Sequence, residues 1–300
     1  MDAKTAFIST RPWSFTMTFS SVTLGTLLAA LKGSFDPLLY AIVLAGMLAF
    51  HAATNVLNDF FDVRHGVDKE GAPTTKYRLH PAAIGQTPLS SILQISIALY
   101  GFTILAGSYL AYLKGPSILI LLGLGIVGSV LYTADPVVLK ARALGEVTVF
   151  VMWGLLIPLG AYAVQTGALA LSPAITAIPL GALVALVLLA NNIRDIEYDG
   201  SVQNRTIAVR LGERNAAKVY GGLLAAAYLF VPVGILAGLL PIWSLLVFLT
   251  TPDAWRLWKM LQGPVPDNAD PRTAGLTLRF ALLYMLSFVL LMLVPIHLPF

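Results

Sequence analysis

Long apolar runs separated by polar breaks organise this chain almost from end to end. Nine such runs lie at approximately 14–32, 37–58, 88–113, 116–133, 144–166, 172–194, 216–239, 241–260 and 275–297. A bilayer-spanning helix needs roughly 20 mostly apolar residues. Backbone at membrane depth must satisfy its own hydrogen bonds, so these runs are predicted to be helices. The short dyad alternation of a membrane barrel strand is absent. The run at 241–260 is the least regular, because Arg256 and Lys259 crowd its end. The pattern predicts an all-α, polytopic bundle of nine transmembrane helices.

The breaks are of two kinds. Those expected on the outer side are short and nearly uncharged, as at "QTGALALS" (165–172), whereas two on the inner side stand out as long and polar. The first is "DFFDVRHGVDKEGAPTTKYRLHPAAIGQT" (59–87) and the second is "DIEYDGSVQNRTIAVRLGERN" (195–215). Each follows an even-numbered run, and each is preceded by asparagines at the end of that run, in "NVLND" (55–59) and "NNIRD" (191–195). Four runs separate them. A single domain over 1–300 is expected, built from two related halves at roughly 14–133 and 144–260 plus a ninth helix at 275–297. Parallel repeats of this kind are a known device of membrane proteins.

Composition sharpens the membrane reading. Hydrophobic residues make up 57% of the chain and charged residues only 11%, against about 25% charged in soluble domains. There are no cysteines, which excludes disulfides, thiolate metal sites and cysteine nucleophiles. "MDAKTAFISTRPWS" carries no separate cleavage-site pattern, so the first run is expected to stay as a helix. With a cytoplasmic N-terminus, only Lys32 and Lys114 of the nineteen basic residues fall outside, as the positive-inside rule expects. Of the fifteen acidic residues only Asp36 does so. Acidic residues contribute little to orientation, so their one-sidedness requires another cause. The expected location is the cytoplasmic membrane, with the chemistry facing the cytoplasm.

That cause is a constellation of carboxylates. Asp59 and Asp62 stand at i, i+3, and Asp195 and Asp199 at i, i+4, which puts each pair on one face wherever a helix continues through it. Asp68 follows Gly66, where the chain can turn back, while Asn55 and Asn58 precede the first pair and Asn191 and Asn192 the second. Hard oxygen donors of this kind suit magnesium held jointly by carboxylates and substrate phosphates. A single Asp at a helix end is commonly a solvated boundary residue. Two such clusters in corresponding halves point further, because ionisable residues at membrane depth are costly. Lys76, Arg78, Lys140, Arg194 and Arg205 lie in or beside the same loops and can neutralise a leaving diphosphate.

Other candidates count for less. His51 lies inside an apolar run and reads as a packed residue, and His65 and His80 have no second histidine at zinc spacing. No phosphate-binding glycine loop, nucleophile elbow or dinucleotide fingerprint is present. Trp13, Tyr132, Trp255 and Trp258 near run ends read as an interfacial belt, with Tyr132 also a candidate at the site. A secondary transporter would place acidic residues near the bilayer midplane, whereas here they collect at run ends.

Three blocks, "NDFFDVRHGVD" (58–68), "YTADPVVLKARALGE" (132–146) and "NNIRDIEYD" (191–199), resemble the UbiA superfamily of intramembrane prenyltransferases. "NRTIAVRLG" (204–212) and "RPWSF" (11–15) agree with the likeness, which spans most of the chain. The six-residue step from Asp62 to Asp68, where four is more usual in the family, and "NNIRD" followed by "RTIAVRLG" look most like the 1,4-dihydroxy-2-naphthoate prenyltransferases of menaquinone synthesis. The stretch "TTKYRLHP" (74–81) also suits other archaeal and bacterial relatives. The resemblance implies a helical bundle around a central cavity, capped by the two polar loops. It implies Mg2+ held by Asn55, Asp59, Asp62 and Asp68 and by Asp195 and Asp199, with Asn58 orienting the first aspartate. It implies diphosphate contacts from Lys140, Arg78 and Arg205, and Arg11 at the carboxylate of an aromatic acceptor. The expected partners are a polyprenyl diphosphate, a small aromatic acceptor and the bilayer, with no nucleic acid. A membrane terpene cyclase that needs no acceptor would carry the same metal motifs.

Overall fold

In a computed structural model of the chain, which describes residues 3–295, helices account for every apolar run, and no strand occurs among the described residues. The principal helices are α1 (Phe15–Ala30), α2 (Pro37–Arg64), α3 (Leu89–Lys114), α4 (Ser117–Thr133), α5 (Gly145–Thr166), α6 (Ile178–Arg194), α7 (Glu213–Leu236), α8 (Thr251–Met260) and α9 (Ala269–Leu293). Of these, α2, α3, α5, α7 and α9 are long and apolar enough to cross a membrane by length and composition. The other runs form shorter or broken helices. Residues 296 and 297 of the last run lie outside the described residues.

Prolines explain the breaks. Pro179, which cannot donate to the Ile175 carbonyl, divides the run at 172–194 into a short helix Leu171–Thr176 and α6, meeting at Ala177. The run at 241–260 opens as a 3-10 helix, Ile242–Thr250, before α8. Within α5, Val151–Leu156 widens to a π-helix, where the Ile157 N–H bonds the Met152 carbonyl. Pro158 follows directly; it cannot donate to the Gly154 carbonyl and its ring crowds that turn.

The start of α2 is fixed by its sequence. Asp36 caps it, accepting from the backbone N–H groups of Leu38 (2.8 Å) and Leu39 (3.1 Å), and Pro37 supplies the first-turn φ. At 28 residues the helix is about 42 Å long, longer than the roughly 30 Å hydrocarbon core of a bilayer. Its final turns therefore carry Asn58, Asp59 and Asp62 to one end of the bundle.

Packing runs through small residues. α6 sits centrally against α5, α7 and α9, with Leu183, Leu186, Tyr220, Phe280 and Tyr284 in the shared core. At the α5–α6 crossing, a Cβ on Gly154 would lie 2.9 Å from Gly181 Cα, so the two backbones touch without side chains between them. Outward faces stay apolar: Leu105 is 72% exposed and Tyr112 86%. Such a surface suits lipid and is unusual against water.

Candidate functional site

At the end of the bundle that carries the polar loops, a cavity of about 970 Å3 opens between α1, α2, α4, α5, α6 and α9. Its deeper walls are apolar, with Phe50, Met152, Trp153, Leu188 and Leu278, and its rim is polar. On that rim stand Asn55, Asn58, Asp62, Asp68, Arg78, Lys140, Asn191, Asn192, Arg194, Asp195 and Asp199. The two acidic clusters thus converge from loops more than a hundred residues apart in the chain.

α2 remains helical through Arg64, so Asn58 lies one turn below Asp62. Its amide donates to Asp62 Oδ2 at 2.7 Å. Asn58 therefore orients Asp62, and not Asp59 as the motif resemblance implies. Lys140, on a 3-10 turn at Leu139–Arg142, reaches the same pair. Its ammonium bonds Asn58 Oδ1 at 2.6 Å and forms an ion pair with Asp62.

Asp59 is not itself on the cavity wall and is 2% exposed, behind two arginines that are. Arg78 grips it with two parallel hydrogen bonds of 2.9 and 2.8 Å, and Arg11 pairs with it from the other side. Arg11 lines the cavity from a left-handed backbone conformation (φ 55), and its Nε is buried without a hydrogen-bond partner. Asn55 donates through Nδ2 to the Thr10 carbonyl at 2.9 Å, which ties the first polar segment to α2.

Gly66 (φ 74) turns the chain back after α2 and brings Asp68 under the loop. Asp68 accepts from Thr74 Oγ1 at 2.7 Å and sits 2.9 Å from His80 Nε2. Burial works to raise its pKa, but the hydrogen bonds from His80 and Thr74 and the charge of Arg78 hold it well below the usual carboxylate range. Asp59, Asp68 and His80 each bring a ligand atom within 4.8 Å of the others, all three buried. His80 belongs to the site, although the lack of a zinc-type spacing argues against it in the sequence. Its only signal there is a place in the same loop as Asp68 and Arg78.

In the second motif, α6 ends at Arg194 and a short helix, Ile196–Ser201, carries Asp199 back toward the cavity. Arg194 grips Asp195 at 2.8 and 2.7 Å. It also donates to Asn191 Oδ1 (2.8 Å) and the Tyr77 hydroxyl (2.9 Å), and it pairs with Asp270 at the start of α9. Asp270, in "PDNADPRTAG" (266–275), is a cavity-rim residue absent from the sequence reading, because it lies ahead of the last apolar run and outside the two long polar loops. Asp199 accepts from Asn204 Nδ2 at 3.0 Å. Burial, together with the charges of Asp195 and Asp62, pushes its carboxyl up to about 7, against the pull of Asn204 and Lys140.

Lys76 and Arg205 are exposed and off the cavity wall, while Tyr132 and Trp13 line it. The donor set fits a hard divalent cation. Asp62, Asp68, Asp195 and Asp199 are buried carboxylates on one rim, and Asn204 Oδ1 beside Asp199 is buried without a partner. Asp59 fits it less well, since two guanidiniums already occupy its oxygens.

Comparison with known proteins gives a consistent picture. Residues 18–283 match the UbiA prenyltransferase family. The chain is 30% identical over 266 residues to a 1,4-dihydroxy-2-naphthoate octaprenyltransferase of Bacillus subtilis, covering 86% of this chain and 83% of that one. Its fold is similar to a UbiA homologue of Aeropyrum pernix K1 (TM-score 0.70, 18% identity, 92% and 98% of the two chains). It is also similar to an Archaeoglobus fulgidus homologue bound to GPP and Mg2+ (TM-score 0.62, 12% identity, 94% and 99%).

Proposed function

The chain belongs to the UbiA prenyltransferase family, and from that premise we propose that it transfers a polyprenyl group from an allylic diphosphate to 1,4-dihydroxy-2-naphthoate, with loss of carbon dioxide, in quinone biosynthesis. The observation that carries this reading is the convergence of Asp62, Asp68, Asp195 and Asp199 with Lys140, Arg78 and Arg194 at the rim of one apolar cavity. The naphthoate acceptor is supported by the Bacillus subtilis relative, and the diphosphate donor by the Archaeoglobus homologue's ligands.

Asp62, Asp68, Asp195 and Asp199, with the amide oxygens of Asn55 and Asn204, are the residues that would hold magnesium. Bound there, magnesium would neutralise charge on the departing diphosphate. Lys140, Arg78 and Arg194 surround the same rim and stabilise the negative charge that develops as the allylic carbon–oxygen bond breaks. The chain below lies among Phe50, Met152, Trp153 and Leu188, which keep water from the allylic cation. Arg11, on the wall with a free buried Nε, is placed to receive the acceptor carboxylate. The ring carbon of the acceptor then closes the new carbon–carbon bond as the carboxyl group leaves. The two rim clusters come from corresponding places in the two halves of a single domain, and the lysine and arginine distribution orients that rim to the cytoplasm.

The test uses the purified chain in detergent with magnesium and geranylgeranyl diphosphate, with and without 1,4-dihydroxy-2-naphthoate. Acceptor-dependent diphosphate release with a decarboxylated prenyl naphthoquinol is the expected outcome. Release without acceptor, giving a cyclic hydrocarbon or alcohol, would establish a terpene cyclase instead.

A further inference from the structure

A second cavity lies between α2, α3, α4 and α5, farther from the carboxylate rim than the first. Its volume is about 80 Å3, that of roughly two to three water molecules in the liquid. Val43, Leu110, Leu121 and Gly160 are among its walls. The sole hydroxyl on those walls, Thr103 Oγ1, is turned to the Leu99 and Gly46 carbonyls at 2.9 and 3.3 Å. Nothing there holds water, and an apolar cavity of this kind stays dry and takes hydrocarbon.

It adjoins the site across two shared side chains. Phe50 and Met152 line both cavities and form the partition between them. Measured along α2 at 1.5 Å per residue, Phe50 lies about 14 Å from Asp59, and Val43, on the far wall, about 24 Å. The partition is built to yield. Met152 stands on the π-helical turn of α5, and its terminal methyl rests against the bare backbone of Gly128, where a Cβ would collide with it. A methionine has three free torsions and adapts to what it touches. On the opposite side Gly125 offers no side chain beyond ordinary contact with the Phe50 ring.

We propose that this cavity is a second hydrocarbon subsite, which receives the distal end of a long prenyl chain passing between Phe50 and Met152. It rests on the donor assigned above, and it makes these two side chains and Gly160 determinants of chain length. A geranyl chain ends within the first cavity, whereas a geranylgeranyl chain, twice as long, reaches through the partition.

Equilibrium binding tests this without turnover. Geranyl and geranylgeranyl diphosphates compete for the full-length protein in detergent with magnesium, and the ratio of their affinities is read. In wild type the longer chain binds at least about tenfold tighter, from the added apolar burial. Gly160→Leu, whose Cβ meets only Leu121 at 3.8 Å, fills the second cavity and collapses the ratio toward one. Met152→Ala widens the passage and raises the ratio. A wild type with no chain-length preference, or a ratio that neither substitution moves, overturns the subsite. The transfer reading is judged separately, by product formation. A protein that binds with the expected ratios yet transfers to no acceptor retains the subsite and loses only the acceptor chemistry.

Discussion

Asp199 shows how the fold sets the state of a single residue. Burial and two neighbouring carboxylates oppose its charge and push its carboxyl up to about 7. Metal binding requires the carboxylate, so magnesium affinity is expected to rise with pH through this range, by up to about tenfold per unit below it. Asp199→Asn flattens that rise, and calorimetric titration across about pH 5.5–8 measures both. The stability consequence has the opposite sign. A pKa above that of the unfolded chain favours the fold at low pH, and this contribution is lost as pH rises through about 7. In chelator, wild type therefore loses melting temperature relative to Asp199→Asn between about pH 5 and 8, and magnesium removes the difference. Arg78 is a second case. Arg78→Ala leaves buried Asp59 with Arg11 as its one guanidinium and His80 at 3.9 Å, at a cost of about 3–5 kcal/mol in denaturation. Arg78→Lys regains less than half of it, because an ammonium cannot make both parallel bonds. The carboxylates were legible from sequence by type and spacing. The partners that fix their charge were not, since Arg11 and Asp59 stand 48 residues apart.

At the scale of elements, helix ends and crossings position the chemistry. The extra turns of α2 lift Asn58 and Asp62 to the rim, and the break after Arg194 lets Ile196–Ser201 fold Asp199 back over the cavity. The α5–α6 crossing seats α6, which carries the second motif, directly against α5 through Gly154 and Gly181. Gly181→Ala would place its Cβ against the Gly154 backbone, which cannot yield as a flexible side chain can. A loss of about 1–3 kcal/mol is expected in thermal or denaturant unfolding. Gly222→Ala on the exposed face of α7, with nothing within 4 Å, should be neutral or stabilise by up to about 1 kcal/mol. Equal losses in both variants would argue against the close crossing. Apolar periodicity located these helices well. It did not reveal the π-helical turn in α5 or the 3-10 opening of 242–250, where proline placement overrides the apolar pattern.

For the whole molecule, the proposed orientation is open to direct measurement, since the chain has no cysteine of its own. Glu70→Cys in the first polar loop and Ala168→Cys between α5 and α6 mark opposite ends of the bundle. In intact cells a membrane-impermeant maleimide should label Ala168→Cys and spare Glu70→Cys until the membrane is opened; the reverse pattern would invert the topology. By itself the sequence determined that the protein is helical, that its helices are apolar on the scale of a bilayer, and which two loops concentrate its carboxylates. Those properties are local: they follow from hydrophobic runs, composition and spacings of three or four residues. Only the tertiary structure decided that Lys140 meets Asp62 across 78 positions, that Arg194 meets Asp270 across 76, that His80 closes on Asp68, and that a dry second cavity lies behind Phe50 and Met152. Apart from the His80–Asp68 contact, which the fold of a single loop makes, each of these depends on distances between segments far apart in the chain, which packing sets and no local pattern encodes.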